Sequence, residues 1–255
     1  MRRDNWTRQE TLIALYVYLK TPFGRLHSRT PDIIEVAKLL GRTPDSIAMK
    51  CCNIAACDPT HQQRGIKGLS GASRLTKELY AEFERAPETV AFDAAQAYGA
   101  IAKTEIPQDE EATWEPMEGL ERSAIVKVRV NQRLFRTIIL VGYGWQCAVC
   151  RLRISPLLVA SHIVPWSIDP FHRMNPHNGL CLCVLHDKAF DIGYMVIDDD
   201  LRVRFTEKLH QYAEDEPVKQ TLTCFEGRSI LLPERWPPSH ELLARHRKFH
   251  QGPLS

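Results

Sequence analysis

The stretches LLVASHIVP (residues 157–165) and NGLCLCVLHDKAFD (residues 178–191) decide the fold of the carboxyl-terminal part of this chain. The apolar run in the first stretch predicts a strand that ends at His162. The end of the second stretch, from Asp187 onward, is typical of the start of a helix. A strand, an irregular loop and a helix would bring His162, Asn178 and either His186 or Asp187 into one compact site.

These three residue types suit the hydrolysis of a phosphodiester bond. A neutral imidazole can remove a proton from water. An asparagine can hold that imidazole or its loop in place. A divalent ion bound near the helix stabilises charge on a phosphate and on its leaving oxygen. The two stretches therefore predict a metal-assisted hydrolytic site.

Four candidate zinc ligands occur in two pairs. Cys147 and Cys150 have two residues between them, and Cys183 and His186 repeat that spacing. Together they predict a closed, tetrahedral Cys3His site for structural zinc. Two alternatives stay open: Cys181 replaces Cys183 as a ligand, or the strand cysteines are small buried apolar side chains.

The residues around His162 resemble the ββα-metal, or HNH, nuclease motif. The resemblance rests on HIVP (162–165), NGL (178–180) and HDKAFD (186–191), and it covers about Val130–Asp198. The chain is similar to the variant seen in many bacterial restriction-like proteins. This resemblance implies a ββα-metal fold and phosphodiester hydrolysis with Mg²⁺ or Mn²⁺.

The resemblance also implies roles for single residues. His162 would be the general base, Asn178 would orient the His162 loop, and Asp187 would bind the catalytic ion through a hard oxygen. His186 would then bind zinc. The opposite assignment places His186 on the catalytic ion and leaves no structural zinc.

One position departs from the family pattern. Many members carry Asp, Glu or His just before the catalytic histidine, whereas this chain has Ser161. A hydroxyl is a weak ligand, so the ion would depend on Asp187, waters and phosphate. Asp191, one turn later, would be either a further metal ligand or a local cap. Ser161 keeps a second hypothesis open, namely a DNA-binding regulator with a degenerate HNH fold.

The amino-terminal region, residues 1–85, is predicted to be helical. A capping box at residues 7–10 marks one helix start, and Thr30-Pro31 and Thr43-Pro44 mark two more. Two short helices joined at residues 41–43 are typical of a helix-turn-helix. The region also resembles the winged-helix-like domains fused to some of these nucleases.

This region is predicted to contact duplex DNA. The outward face of the later helix would carry the candidate side chains Ser46, Met49, Lys50 and Asn53. A Gly- and Ser-rich stretch at residues 65–73 is flanked by basic residues that could grip the backbone, namely Arg64, Lys67, Arg74 and Lys77. The alternative is a helical bundle used for packing or dimerisation.

Residues 86–122 are predicted to be a linker, acidic in its second half. It contains Pro107 and Pro116 and seven acidic residues: Glu105, Asp109, Glu110, Glu111, Glu115, Glu118 and Glu121. Residues 123–255 then form the predicted nuclease domain. Its candidate phosphate contacts are Lys127, Arg133, Arg136 and Lys188.

Bulk composition limits the other classes. The chain has 255 residues, of which 44% are hydrophobic and 25% charged, as in ordinary globular proteins. The net charge of +2 does not by itself indicate a polyanionic partner. No apolar run approaches the ~20 residues of a membrane span, and the first residues lack the apolar core of a signal peptide. We expect a cytoplasmic protein without a membrane partner, whose eight cysteines are reduced or bind metal.

The sequence thus predicts an α+β protein with a helical, winged-helix-like front domain and a carboxyl-terminal ββα-metal HNH domain. The predicted function is a metal-dependent DNA endonuclease. A restriction or defence role rests on fold-level analogy. In one version of this role, cleavage depends on a modified base that the front domain reads. An RNA nuclease stays open, because the same groups hydrolyse either polymer. A homodimer is expected, because a one-metal site cuts one strand per visit.

Overall fold

The computed structural model describes residues 5–59, 72–102 and 122–251. The chain divides into two compact units, Met1–Phe135 and Arg136–Ser255. In its described residues the first unit is helical, and the second combines helices with two small sheets. This is the α+β class that the sequence predicts.

The first unit begins with a helix that starts at the predicted capping box. The Thr7 hydroxyl accepts from the Glu10 N–H at 3.2 Å, and the Glu10 carboxylate accepts from the Thr7 N–H at 2.8 Å. The described helices of this unit are α1 Arg8–Lys20, α2 Pro31–Leu39, α3 Pro44–Ala55, α4 Arg74–Arg85, α5 Pro87–Ala102 and α6 Arg122–Gly142, the last of which continues into the second unit.

Helices α2 and α3 are joined by a tight turn. Gly41 takes a φ of +61°, a left-handed conformation that glycine adopts without steric cost. Thr43 then caps α3 by accepting from the Ser46 N–H at 3.3 Å, and Pro44 occupies the first helical position. The predicted helix starts are therefore present, while the assignment of the pair to a DNA-binding helix-turn-helix stays a prediction.

Helix α5 lies in the part of the chain that was predicted to be a linker. It packs on α1, where the rings of Tyr16 and Tyr98 stack with their centroids 4.7 Å apart. Its buried face is made mostly of small side chains, with Ala91 and Ala94 among them. A face of alanines carries little apolar periodicity, which is why the sequence did not predict this helix. The predicted domain boundaries stay a prediction.

Several predicted features fall outside the described residues. They are Arg64 and Lys67 with most of the Gly- and Ser-rich stretch, and the acidic segment from Glu105 to Glu121. No strand occurs in the first unit among residues 5–59, 72–102 and 122–135. A winged helix requires strands in addition to helices. The described residues of the first unit supply only the helices, so the winged-helix part of the prediction stays a prediction.

The second unit contains a β-hairpin followed directly by a helix. Strands β1 Leu158–His162 and β2 Gly179–Cys183 pair antiparallel, and helix α7 Val184–Asp191 begins where β2 ends. In this register Leu158 lies opposite Cys183, and His162 lies opposite Gly179. The predicted strand, loop and helix are present, together with the second strand that the ββα resemblance implies, and the loop of residues 163–178 lies at one end of the hairpin. Helix α7 begins at Val184, three residues before the predicted start at Asp187.

A second hairpin and three helices complete this unit. Their bounds are β3 Met195–Ile197, β4 Val203–Phe205, α8 Glu207–His210, α9 Glu216–Thr221 and α10 His240–Gln251. Every residue of β2 is buried, and so is Phe190 on α7. Helix α10 packs on β3, and the ring of its His246 stacks on Phe190 with centroids 3.7 Å apart. The core therefore lies between the ββα element and α10.

Candidate active site and metal cluster

His162 is the last residue of β1, so its backbone is fixed by the hairpin while its side chain faces the loop. Its Nε2 lies 3.0 Å from the carbonyl oxygen of Arg173. The Trp166 ring meets the imidazole edge-on, with centroids 5.4 Å apart. The Arg173 side chain closes this group, because its Nε donates to the Trp166 carbonyl at 2.8 Å.

The hydrogen bond to the Arg173 carbonyl decides the tautomer of His162. A carbonyl only accepts, so Nε2 carries the proton and the lone pair of the neutral ring is on Nδ1. Burial lowers the pKa of His162, and the bond to Arg173 partly opposes that shift. The neutral imidazole is therefore favoured near neutral pH, which is the form that a general base needs.

Asn178 is completely buried and holds the backbone that follows His162. Its Oδ1 accepts from the Val164 N–H at 2.8 Å, and its Nδ2 donates to the Val164 carbonyl at 3.0 Å. The same Nδ2 donates to the carbonyl of His172 at 3.1 Å. One amide thus ties both sides of the loop to each other, which is the geometry expected of a residue that orients the His162 loop.

Asp187 lies in the first turn of α7, half-buried, with Ser161 on the facing strand. Burial raises its pKa, and the nearby charge of Asp191 raises it further. The Ser161 hydroxyl, which lies against the carboxylate but outside strict hydrogen-bond geometry, lowers it. Asp187, with Asp191 one turn later on the same helix, presents hard carboxylate oxygens, which are ligands that suit Mg²⁺ or Mn²⁺.

The four predicted zinc ligands converge at the other end of the hairpin. The ligand atoms of Cys147, Cys150, Cys183 and His186 all lie within 4.8 Å of one another. His186 Nδ1 is 3.1 Å from Cys183 Sγ and 3.7 Å from Cys147 Sγ, and Cys150 Sγ is 3.9 Å from Cys183 Sγ. This Cys3His cluster can hold a metal ion.

The spacing within the Cys3His cluster matches the requirements of a tetrahedral site. A metal–sulfur bond of about 2.3 Å places two thiolate ligands about 3.8 Å apart, and a thiolate and an imidazole nitrogen about 3.6 Å apart. The distances of 3.9 Å between sulfurs and of 3.1 and 3.7 Å between sulfur and nitrogen bracket these values. The donor set, three sulfurs and one nitrogen, is also the one that structural zinc prefers.

Proton sharing favours a thiolate within the Cys3His cluster. The neighbouring thiols of Cys150 and Cys183 lower the pKa of Cys147, and the same neighbours raise the pKa of Cys150. Cys181, in contrast, lies outside the cluster, and burial raises its pKa to about 12. The structure thus selects Cys183 over Cys181 at this position, because Cys181 is a buried thiol of the strand core.

The knuckle that carries the first two cysteines is held by backbone hydrogen bonds. The Cys147 N–H donates to the Leu152 carbonyl at 2.9 Å, and the Arg151 N–H donates to the Cys147 carbonyl at 3.0 Å. Arg151 takes a φ of +66°, which the tight turn imposes. The turn connects to β2, because the Ala148 N–H donates to the Cys181 carbonyl at 2.6 Å.

The structure separates two sets of predicted ligands. His186, which was a candidate for both metals, has its Nδ1 among the thiols of the Cys3His cluster. Among the residues that the structure describes, the Cys3His cluster is the one place where three or more His, Cys, Asp or Glu side chains lie close enough to share a metal ion. Within the described part of the chain, Asp187 and Asp191 have no third ligand of this kind beside them, so an ion there would take its remaining ligands from water and substrate.

The predicted DNA contacts fall into different environments. Lys50 is only 4% exposed, so the expectation that it points outward is wrong. Its long apolar stem packs inward, and its ammonium donates to the Thr76 hydroxyl at 3.0 Å. Ser46 and Asn53 are half-buried, whereas Met49 is 52% exposed. Their contact with DNA stays a prediction.

The basic residues near the nuclease domain also differ in role. Arg136 Nη1 donates to the Leu158 carbonyl at 2.7 Å and so supports the start of β1. Lys127 donates to the Thr89 hydroxyl at 3.3 Å, which connects α6 with α5. Arg133 is half-buried on α6, and Lys188 is exposed on α7 beside Asp187.

Two contacts of the His162 loop were not predicted. The first is the contact of Trp166 and Arg173 with His162. The second is buried Asp169, whose carboxylate accepts from Arg245 at 2.6 Å and lies 2.8 Å from His172 Nδ1. Both contacts join residues that are distant along the chain or within an irregular loop. No periodic pattern marks such pairs, so the sequence held no signal for them.

The match to a known family coincides with this site. Residues 147–198 match a family model described as HNH endonuclease, from the first cysteine of the knuckle to the end of β3. No curated protein matches the chain. Among the described residues, no helix has the length and the apolar surface that crossing a membrane requires.

Proposed function

We propose that this chain, whose residues 147–198 form an HNH endonuclease domain, is a metal-dependent endonuclease that hydrolyses the phosphodiester bonds of duplex DNA. The observation that carries the proposal is the placement of His162, Asn178 and Asp187 on the β1, loop and α7 positions of that domain. A nucleic-acid substrate follows from the domain itself. Duplex DNA as the polymer is the more specific part of the proposal.

In this proposal His162 is the general base. Its Nδ1 lone pair takes a proton from a water molecule beside the scissile phosphate, while Nε2 stays bonded to the Arg173 carbonyl. Asn178 keeps the loop closed on both sides of the imidazole and is a positioning residue. The edge of Trp166 limits the rotation of the ring.

Asp187 would hold the catalytic Mg²⁺ or Mn²⁺, with Asp191 as the candidate second carboxylate. When bound, the ion supplies stabilisation of the negative charge that develops on the phosphate and on the leaving oxygen. Ser161 occupies a position where a stronger ligand is frequent in the family. Its hydroxyl would hold Asp187 in place rather than bind the ion itself.

The Cys3His cluster of Cys147, Cys150, Cys183 and His186 would hold structural Zn²⁺. The cluster is closed by four protein ligands, which leaves no position for a substrate. It joins the knuckle to the end of β2 and the start of α7, and so supports the helix that carries Asp187.

We further propose a restriction or defence role, with the front unit contacting the DNA. Residues such as Lys188, which is exposed beside Asp187, would add non-specific affinity for phosphates. Recognition of a modified base by the front unit is the more specific form of this proposal. A homodimer would let two one-metal sites cut both strands.

Ser161 favours one second candidate, a DNA-binding regulator that has lost catalysis. With a hydroxyl at that position the metal site has one carboxylate in the first turn of α7 and another at its end. The intact His162 argues against this candidate, because a pure binding protein gains nothing from a neutral imidazole held in one tautomer.

The test is plasmid cleavage in Mg²⁺ or Mn²⁺, with wild type compared to His162→Ala and with His210→Ala as the matched control, since His210 is exposed on α8. We expect the first variant to lose about 10²-fold or more in rate and the control to keep wild-type activity. Unmodified DNA, cytosine-modified DNA and RNA are compared as substrates. If wild type cuts none of them while it still binds duplex DNA tightly, the regulator replaces the nuclease.

A further inference from the structure

The first unit contains a cleft of about 810 Å³ beside the start of α3 and of α4. The side chains that the sequence placed on a DNA-reading surface line this cleft: Ser46, Met49, Lys50 and Asn53. A recognition helix that enters a DNA groove presents a convex surface. A concave space of this volume suits a small ligand or a single nucleotide.

The described lining of the front cleft contains three cations, Arg42, Lys50 and Arg74, and one carboxylate, Asp45. Arg42 pairs with the Glu10 carboxylate at 2.8 Å and Arg74 with that of Glu78 at 2.7 Å, whereas Lys50 donates to a neutral hydroxyl. The amino-terminal ends of two twelve-residue helices also reach the cleft, since the capping residues Thr43 and Ser73 are part of the lining. Helix amino termini carry partial positive charge. Lys50 and the two helix ends therefore favour an anion in the same space.

Lys50 is the most unusual of these groups, because a lysine that is 4% exposed normally pairs with a carboxylate. Its ammonium instead donates to the neutral hydroxyl of Thr76 at 3.0 Å and lies 4.6 Å from the centre of the Trp6 ring. Burial and the charge of Arg42 lower the pKa of Lys50, and the charge of Glu10 partly opposes that shift. An anion in the cleft would offset this destabilisation of the charged form.

The front cleft also offers surfaces for a base. Trp6 lines it, and its ring lies 4.3 Å from the Arg42 guanidinium carbon. Met49 adds a flexible apolar side chain that is 52% exposed. Asn53 has an amide oxygen that is buried without a hydrogen-bond partner, so its amide retains hydrogen-bonding capacity at the cleft wall.

We propose that the front cleft binds one unstacked nucleotide of a nucleic-acid strand. Its phosphate would lie at Lys50 and the two helix ends, and its base beside Trp6 and Met49. The inference rests on the proposed function, because it assigns how the front unit contacts the substrate. Binding of a single nucleotide in the front cleft would take the place of the predicted insertion of α3 into a groove of duplex DNA. A free nucleotide presents the same groups, and the test below distinguishes the two sources.

The test measures the affinity of the full-length His162→Ala protein, which is expected to cut slowly, for labelled DNA duplexes in the absence of a divalent metal. The duplexes are either fully matched or carry one mismatch, and binding is followed by fluorescence anisotropy. A mismatched nucleotide costs less to unstack, so we expect the mismatched duplex to bind roughly fivefold more tightly. Free deoxynucleoside monophosphates are added as competitors in a separate arm.

Three substitutions in this background examine the front cleft. Lys50→Met should remove the mismatch preference and weaken binding of the mismatched duplex about tenfold. Arg74→Ala should have the same effect at about threefold. The Arg74 side chain is 91% exposed, so this variant keeps the test decisive if Lys50→Met does not fold. Lys38→Ala, an exposed lysine on α2 outside the cleft lining, is the control and should weaken both duplexes equally and by less than about twofold.

Equal affinity for matched and mismatched duplexes would overturn the inference, and so would cleft variants that behave like Lys38→Ala. Competition by a free monophosphate without any mismatch preference would also overturn it, because the source would then be a soluble nucleotide. These failures differ from failure of the proposed function. Cutting that depends on His162 but shows no mismatch preference rejects the cleft alone, whereas wild-type protein that neither cuts nor binds nucleic acid rejects the nuclease.

Discussion

The two ends of the β1–β2 hairpin contain two different kinds of site. At the end where Leu158 faces Cys183, four protein ligands converge within 4.8 Å. At the end where His162 faces Gly179, the imidazole bonds the Arg173 carbonyl, and Asn178 holds the loop backbone at Val164 and His172. Four residue steps of a strand separate these ends by about 13 Å.

The difference lies in what the protein supplies at each end. The Cys3His cluster offers four protein ligands, so a metal bound there would contribute directly to folding. At the His162 end the protein offers few ligands, so water and substrate would complete the proposed catalytic site. The two sites are nevertheless joined through α7, because His186 of the cluster and Asp187 are neighbours in its first turn. Loss of the cluster should therefore also disturb the position of Asp187. The predictions below test this division.

The largest effect is expected from Cys147→Ser. It removes one of four ligands, and we expect a loss of unfolding free energy of about 4 kcal/mol or more, together with loss of the bound metal. Thermal unfolding and metal analysis of the purified protein measure both. Cys224→Ser is the control, because Cys224 is exposed and outside the cluster. A Cys147→Ser protein with unchanged melting temperature would mean that the cluster carries no structural metal.

Asn178→Asp should affect both stability and cleavage. The substitution keeps an acceptor for the Val164 N–H but places carboxylate oxygen against the carbonyls of Val164 and His172. We expect a loss of about 2–3 kcal/mol in unfolding free energy, and a cleavage rate reduced about 10²-fold.

The control for this prediction is Asn175→Asp. The Asn175 side chain only accepts, from the His177 N–H at 3.0 Å, and an aspartate can do the same. Single-turnover cleavage and thermal unfolding are measured on both variants. If the two behave alike, the amide of Asn178 does not orient the His162 loop.

The pH dependence of cleavage should report the environment of His162. Burial lowers its pKa below the ordinary value of 6.5, so the neutral, basic form persists to lower pH. The cleavage rate should stay level from neutral pH downward and fall only below about pH 6.5. Single-turnover rates at saturating metal give this profile. An acidic limb centred above pH 7 would contradict the assignment of His162 as the base.

The smallest effect is expected from Arg245→Ala, which removes one contact of the His162 loop with α10. Arg245 is 41% exposed, and the buried carboxylate of Asp169 keeps its bonds to His172 and to the Phe171 N–H. We expect a stability loss of about 1 kcal/mol or less and a cleavage rate reduced a few-fold. Arg204→Ala, in β4, should leave cleavage unchanged. A loss of cleavage as large as that of Asn178→Asp would show that α10 controls the site.

Local sequence patterns predicted much of the second unit, because its candidate functional residues are close together along the chain. The two ligand pairs, the strand that ends at His162 and the start of α7 near Asp187 all depend on neighbouring residues. The choice between Cys181 and Cys183 as a cluster ligand could not be made from neighbouring residues, since both lie on the same buried strand. It required the position of the knuckle against β2, which the sequence does not contain.

The first unit was predicted less well. The capping box and the two Thr-Pro helix starts are local signals and are present. Helix α5 was missed because its buried face consists largely of alanines, and it is a helix because it packs on α1 rather than because of apolar periodicity. Lys50 was placed outward because charged side chains usually are, whereas Trp6 and Thr76 provide it with a buried site.

The sequence by itself determined which functional groups are available for the proposed chemistry. Four ligands of the type that zinc prefers, a histidine at a strand end, an asparagine and a helix carboxylate are properties of residue type and short spacing. The tertiary structure decided how these groups are used. It bonded His162 Nε2 to the Arg173 carbonyl, placed His186 with the thiols and enclosed Lys50 beside a cleft. These outcomes depend on contacts between distant segments, whose geometry is fixed only when the core packs.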